Sequence, residues 1–293
     1  MKKIAVVTDS NSGITQKEMK EIKNLFVIPM PFMIGEEEYF EDINLTQEEF
    51  YKKLLSNEDI STSQPSIGSI VELWETILKD YDEIVHIPMS SALSMSCETA
   101  QNFAKQFNGK VQVVDNHAIS VTLKESVYDA LRLAKKGLYA DEIKKRLEEN
   151  MNNSSIYIMV STLKYLKKGG RITPAAAAIG TLLKIKPVLQ IQGGKLDQFA
   201  KVLNEKAAWT KMIEAIKKDF NTRFKEFVEK GQMRLFVAYT NCPDKANAFA
   251  EELRKEIPNI PLTNIDPLSL SVACHIGDGA LAVATSRVLD DEN

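Results

Sequence analysis

Apolar positions in the first half of the chain fall in short continuous runs separated by longer amphipathic stretches. Ile4 to Thr8, Leu25 to Met30, Ile84 to Pro88 and Val111 to Asp115 read as strands, being short, apolar and bounded by polar or turn-forming residues. Between the last two pairs lie helical patterns such as Ile70 to Lys79, where Val71, Trp74 and Leu78 share one helical face. This alternation is the sequence form of βαβ units around a parallel sheet. The expected fold class is therefore α/β for this half.

The polar stretch from Glu148 to Ser155 precedes a strand-like run, Ile156 to Val160. The domain boundary is placed there, giving an N-terminal α/β domain over 1–155 and a second domain over 156–293. Past it come a Lys/Gly-rich turn from Lys167 to Arg171, an alanine-rich helix from Pro174, and a hairpin signal at Gly193-Gly194. A helix from Lys206 to Glu229, a strand from Leu235 to Tyr239 and a helix from Lys245 to Glu256 follow, with apolar runs at Ile265 to Ala273 and Ala280 to Ala284. Mixed hairpin and crossover connections make this half α+β. No fixed-period repeat interrupts the pattern.

Composition narrows the class of function. The 293 residues are 44% apolar, ample for two conventional cores and incompatible with disorder as the main state. Lys and Arg number 37 against 40 Asp and Glu, a net charge of −3, with no arginine-rich run and no zinc-finger spacing. Nucleic acid is not an expected partner. Cys97, Cys242 and Cys274 are an odd set without C-x-x-C spacing, which reads as reduced thiols in a cytoplasmic protein with neither disulfide nor metal. Asp9 ends the first apolar run before a signal-peptide core could form, and no run reaches the roughly 18 apolar residues of a membrane span. A cytoplasmic location is expected.

In an open parallel sheet, ligands sit beyond the carboxyl ends of the strands, and here those exits are rich in hydroxyls. They read Asp9-Ser10-Asn11-Ser12, Ser90-Ser91-Ala92-Leu93-Ser94 and Asp115-Asn116-His117. Hydroxyls gathered at helix N-termini suit an anion such as a carboxylate or phosphate, and they equally suit simple N-capping. Thr62-Ser63-Gln64-Pro65-Ser66 and His275-Ile276-Gly277-Asp278-Gly279 look like ligand-facing turns, although Thr62 or Ser63 could cap a helix and the glycines could serve positive φ. His275, between an apolar run and a glycine turn, is placed to donate to an anion or orient a hydroxyl, or to act as a hydrogen-bonded structural residue. His86 reads as structural, and His117 is left open.

These residues together resemble the DegV family. Thr8-Asp9-Ser10, Thr62 to Ser66, Ser90 to Ser94, Val113-Val114-Asp115, Leu166 to Ile172 with its Gly169-Gly170-Arg171, Lys186-Pro187-Val188-Leu189 and His275-x-Gly277-x-Gly279 occur in the family's order over nearly the whole chain. The resemblance implies a two-domain bacterial protein that binds a long-chain fatty acid in a tunnel between its domains. It further implies a carrier with no catalytic residues and no cofactor, which presents the fatty-acid carboxylate to a separate fatty-acid kinase. The acyl phosphate made there would feed phospholipid synthesis, with transient contact at a membrane surface. Carried over by motif, Thr62 and Ser94 hold the carboxylate and His275 completes the network, with Ser63, Ser91 and Gly277 as neighbouring ligand-binding candidates. Arg171 faces the kinase or the ligand head, or is a solvated loop charge.

Several positions depart from the family's pattern. Met95 follows Ser94 in place of glycine, which implies a tighter turn or a narrower acyl entrance. Asn116 replaces a serine, and Asp278 stands where proline is common. The stretch from Lys201 to Lys206 replaces an arginine-rich segment, a difference that bears on kinase docking and not on the lipid site. Two rival functions are weighed. A serine hydrolase would combine Ser94, His275 and Asp9 or Asp115, but Leu93-Ser94-Met95 lacks the glycines of a G-x-S-x-G elbow. A nucleotide- or phosphate-binding α/β protein would use the strand exits and Gly169-Gly170-Arg171, but neither G-x-G-x-x-G nor G-x-x-x-x-G-K-[ST] occurs.

Overall fold

A computed structural model describes residues 2–56, 58–178 and 185–289. In chain order its strands are β1 (Ile4–Asp9), β2 (Leu25–Ile28), β3 (Pro31–Ile34), β4 (Glu37–Phe40), β5 (Ile60–Thr62), β6 (Glu83–Ile87) and β7 (Val111–Val113). They continue with β8 (Ser154–Met159), β9 (Lys186–Ile191), β10 (Asp197–Val202), β11 (Met233–Tyr239), β12 (Leu262–Pro267) and β13 (Leu281–Arg287).

The first sheet has the order β2-β1-β6-β7 and is parallel throughout. All six residues of β1 are buried, as expected for a strand covered on both faces. Ile4 and Val6 enter one core, with Leu123, Val127 and Leu133 of the Val121–Lys135 helix, while Ala5 and Val7 enter another with Trp74 and Ala100. Parallel pairing sends β1, β6 and β7 out on the same side of the sheet, so their hydroxyl-rich exits converge. The helix read over Ile70 to Lys79 spans Ile67–Ile77.

A second sheet runs β10-β9-β8-β13-β11-β12, antiparallel except for the β11–β12 pair. Alternation along β8 gives each face its own core. Tyr157 and Met159 pack beneath the Glu205–Asn221 and Pro243–Glu256 helices, among Ile216, Phe220 and Phe249. Ile156 and Ile158 face the other way, onto a core that includes Leu93, Ile119 and Val121 from the first half. Gly193, at φ 85, turns the chain between β9 and β10, where the sequence signals a hairpin.

The third sheet, β4-β3-β5, is antiparallel, and the sequence pattern gives no sign of it. Its Phe32, Ile34 and Ile60 bury with Phe50 and Leu54, and with Leu270, Ala273 and Cys274 of the Leu270–Ile276 helix. A segment from the first half thus shares a core with a helix more than two hundred positions on. The single helix expected over Lys206 to Glu229 is two, Glu205–Asn221 and Lys225–Glu229. Phe224, 1% exposed, is pulled into the core between them, and its N–H donates to Asp219 O at 2.9 Å. The alanine-rich helix is seen as Pro174–Ala177; positions 179–184 of that expectation lie outside the described residues.

Among the described residues no helix is long and apolar enough to cross a membrane, and no group of three His, Cys, Asp or Glu is arranged to hold a metal ion. The three cysteines are free thiols.

Candidate functional site

Where the inner face of the second sheet meets the exits of the first, the structure encloses a cavity of about 360 Å³. Its sheet wall is apolar, built from Ile156, Ile158, Ile191, Ala238, Ala282 and Ala284. Met30, Met89, Leu93, Ile119 and Val121 face it from the first half. Volume and lining both fall within the range of small-molecule sites.

Polar groups gather where β5, the loop after β6 and the 270–276 helix come together. Thr62 ends β5, Ser94 sits in the loop, and His275 lies near the C-terminal end of that helix, all three on the cavity wall. Thr62 Oγ1 and His275 Nε2 are 2.9 Å apart. Burial, reinforced by the Arg171 guanidinium, pushes the His275 imidazolium down to a pKa of about 4, so the ring is neutral at pH 7. In the Nε2–H tautomer the ring donates to Thr62, which leaves the Thr62 hydroxyl proton for a ligand. Ser94 Oγ accepts the Ser96 N–H at 3.2 Å, so its proton is also available. Arg171 donates from Nε to Leu93 O at 3.3 Å and from Nη1 to Gly169 O, which fixes the guanidinium against the cavity. It also borders a second, more polar recess of about 280 Å³ that shares Thr62 and His275 and reaches Lys164 and Lys168.

The glycines of the two motifs have distinct steric reasons. A Cβ at Gly169 would collide with Nδ1 of His275, and Gly170 adopts φ 68. The Gly-Gly of the Gly-Gly-Arg turn therefore gives the imidazole its space and then reverses the chain to place Arg171. Gly277 ends the 270–276 helix at φ 86, where a Cβ would lie 2.6 Å from the Tyr165 ring. It is not on the cavity wall. Ser63 is on the wall, beside Gln64, whose Oε1 accepts from Thr99 Oγ1 at 3.3 Å. Ser91 is not: it is exposed, and its N–H points to Asp115 Oδ1 at 3.4 Å.

The remaining strand-exit groups close turns. Ser12 Oγ donates to Asp9 O at 2.8 Å, Ser10 Oγ accepts from Met30 N at 3.0 Å, and Ser90 Oγ accepts from Ala92 N at 3.2 Å. Asp9, 2% exposed, accepts from Met89 N, Asn11 N and Asn11 Nδ2, yet burial still raises its pKa to about 6. His86 is buried edge-on to Trp74 and its pKa is pushed down to about 3 by burial, consistent with a structural residue. His117 sits at φ 56 beside Asp115, off the cavity.

The departures from the family pattern also find places. Met95 is 68% exposed at the cavity rim. Asn116 closes its own turn by accepting from Ala118 N, and donates to Ser126 Oγ. Asp278 accepts from Asn241 Nδ2 at 2.8 Å. In the 201–206 stretch Leu203 is 76% exposed and Asn204 caps the following helix through Ala207 N. No hydrolase triad is assembled among the described residues: the His275 Nε2 that a nucleophile would need is held by Thr62, and Asp9 is held by Met89 and Asn11. Of the first strand exit only Asn11 reaches the wall, and sequence reasoning missed Ser120 and Ser271 there; the signal for Ser271 is its place one helical turn before His275.

The DegV family model, described as "Uncharacterised protein, DegV family", matches residues 3–288. Protein DegV of Bacillus subtilis is 33% identical over 285 residues, covering 96% of this chain and 98% of its own. A DegV domain-containing protein of Staphylococcus aureus is 30% identical over 291 residues, covering 98% of this chain and all of its own. Among solved structures, Bacillus subtilis DegV, described as a fatty acid binding protein, superposes with a TM-score of 0.83 at 32% identity over 98% of this chain and 100% of that one. A fatty-acid-binding DegV family protein of Thermus thermophilus gives 0.86 at 26% identity, over 97% of this chain and 99% of that one. With a family match over nearly its whole length, and relatives of this identity on both counts, the chain belongs to the DegV family.

Proposed function

We propose that this protein binds a long-chain fatty acid, its acyl chain in the cavity and its carboxylate at Thr62, Ser94 and His275, and presents that carboxylate to a separate fatty-acid kinase. The observation that carries this reading is a largely apolar cavity with a hydroxyl, imidazole and guanidinium cluster on its wall. A carboxylate is an acceptor-only group, and the cluster offers the Ser94 hydroxyl proton and, in the Nε2–H tautomer of His275, that of Thr62, with Arg171 supplying opposite charge. Burying an acyl chain contributes about 0.8 kcal/mol per methylene, so about fourteen methylenes give on the order of 11 kcal/mol before ordering costs. The fatty-acid binding described for the Bacillus subtilis and Thermus thermophilus proteins supports it.

In this account the cavity is a tunnel between domains 1–155 and 156–293, and the chain acts as a cytoplasmic carrier without turnover of its own. On the kinase, a carboxylate oxygen forms the new O–P bond as the terminal phosphoryl group leaves the nucleoside diphosphate. The polar recess beside Arg171 is the side from which that donor reaches the head group. The acyl phosphate then enters phospholipid synthesis, with transient contact at a membrane surface. Mass spectrometry of an organic extract of the purified protein should find a long-chain fatty acid. An empty extract together with no binding of added hexadecanoate or oleate contradicts the carrier role. Acyl phosphate formed by the purified protein with ATP and no kinase contradicts the division of labour.

A further inference from the structure

The cavity wall holds a second polar cluster, separate from the head-group site. Asn11, Ser120 and Ser271 all line the cavity and are 2%, 8% and 5% exposed. They form one connected unit: Ser271 Oγ donates to Asn11 Oδ1 at 2.7 Å, and the Ser120 N–H donates to Asn11 O at 3.0 Å. Among the described residues no hydrogen bond joins this unit to Thr62, Ser94 or His275. The two sites are nevertheless close, because Ser271 and His275 lie on the same face of one helix, about one turn or 5–6 Å apart along its axis.

Ser120 is the unusual member. It stands at φ 55, a backbone region that a non-glycine residue rarely adopts, just ahead of the fifteen-residue Val121–Lys135 helix. Its hydroxyl does not cap that helix and makes no hydrogen bond among the described residues. The residue lines the cavity, so its hydroxyl is left for whatever occupies that space. Proton accounting defines what it would accept. Asn11 Nδ2 is committed to Asp9 Oδ1 and to the Met89 sulfur, and Asn11 Oδ1 takes the Ser271 proton. Ser271 Oγ, having given its proton to Asn11, accepts from Ser269 Oγ at 3.3 Å and keeps one further lone pair, beside a Ser120 hydroxyl able to donate and accept. That set matches a hydroxyl group. A carboxylate fits less well, since it could not donate to the remaining Ser271 lone pair and would face the Asp9 carboxyl behind Asn11.

We infer that the Asn11–Ser120–Ser271 notch recognises a hydroxyl substituent on the acyl chain within a few carbons of the carboxylate, so that hydroxylated fatty acids are a preferred ligand class. The inference rests on the fatty-acid reading above. Titration calorimetry on the full chain, with hexadecanoate, 3-hydroxyhexadecanoate, 5-hydroxyhexadecanoate and 12-hydroxyhexadecanoate as probes, tests it. One of the two near-carboxyl hydroxy acids should bind about fivefold tighter than hexadecanoate, the scale of one net hydrogen bond. The 12-hydroxy acid should bind about tenfold weaker than hexadecanoate, because its hydroxyl is buried against apolar wall. Ser120→Ala, which keeps the backbone conformation within reach of the native one, should abolish the preference ratio, and Ser271→Ala should reduce it. Hydroxy acids that all bind more weakly than hexadecanoate, or a preference that survives Ser120→Ala, overturn the inference and leave the carrier role standing. Failure of hexadecanoate itself to bind is a different result and removes the fatty-acid reading.

Discussion

After β1, Ser12 Oγ donates to Asp9 O, Ser10 Oγ accepts from Met30 N, and Asp9 gathers three N–H donors into the turn. Around β5 the residue types are the same but the outcome differs, because Thr62 and Ser94 stand on the cavity wall and Ser10 and Ser12 do not; Thr62 is bonded to the His275 ring and Ser94 accepts the Ser96 N–H. The difference comes from what each hydroxyl meets. At the β1 exit a backbone carbonyl or N–H lies within reach of every oxygen. Thr62 meets an imidazole that came from the far end of the chain, and Ser94 meets only the N–H of Ser96. A capping hydroxyl and a ligand-holding hydroxyl cannot be told apart by residue type. The separation is made by whether the fold leaves the residue on the cavity wall.

The ligand-facing set depends on where the 270–276 helix stops, so the largest expected effect lies at its end. Gly277→Ala introduces a side chain at φ 86 and 2.6 Å from the Tyr165 ring, which should cost about 3–4 kcal/mol of stability by urea denaturation. A loss below about 1 kcal/mol would show that this turn adapts freely.

Next comes a pH-dependent contrast between the two sets. The Asp9 carboxyl is raised from 3.8 to about 6, so its contribution to stability is full below about pH 4 and is lost as pH rises through 6. His275 is lowered from 6.5 to about 4, so its contribution is full above about pH 6.5 and is lost as pH falls toward 4. The two slopes oppose one another. Asp9→Asn should make stability at pH 7 relative to pH 4 more favourable, and His275→Gln less favourable, each by on the order of 2 kcal/mol. Shifts of the same sign in both variants would contradict the assignment.

Thr62→Val keeps the shape of the side chain and removes the donor, so hexadecanoate affinity should fall about tenfold to a hundredfold. Ser12→Ala removes a hydroxyl of the other set and should cost about 1 kcal/mol of stability with fatty-acid affinity unchanged. A binding loss at Ser12 comparable to that at Thr62 would erase the distinction between the sets.

The parallel sheet was readable because β1, β6 and β7 are short, mostly apolar runs that give way within one to three residues to polar ones, and the convergence of their exits follows from parallel pairing. The motifs pointed to Thr62, Ser94, His275 and Arg171, which the fold brings to one cavity. The β4-β3-β5 sheet was not readable, because its strands are three or four residues long and its core partner, around Leu270 and Cys274, lies far along the chain. The break between the Glu205–Asn221 and Lys225–Glu229 helices has no glycine or proline to announce it and follows from the burial of Phe224. Ser91 and Gly277 share motifs with wall residues yet sit off the wall, since neighbours in a turn point in different directions. Ser120 was hidden because its meaning depends on a backbone angle and on an absent partner.

The central claim is that Thr62, Ser94 and His275 read a carboxylate while the apolar wall holds the chain. Titration of hexadecanoate and hexadecanol against the wild-type protein and Ser94→Ala separates these contributions. The acid should bind more tightly than the alcohol to the wild type, and Ser94→Ala should weaken the acid about tenfold or more while moving the alcohol far less. Equal losses for acid and alcohol would mean that Ser94 shapes the cavity and does not hold the head group.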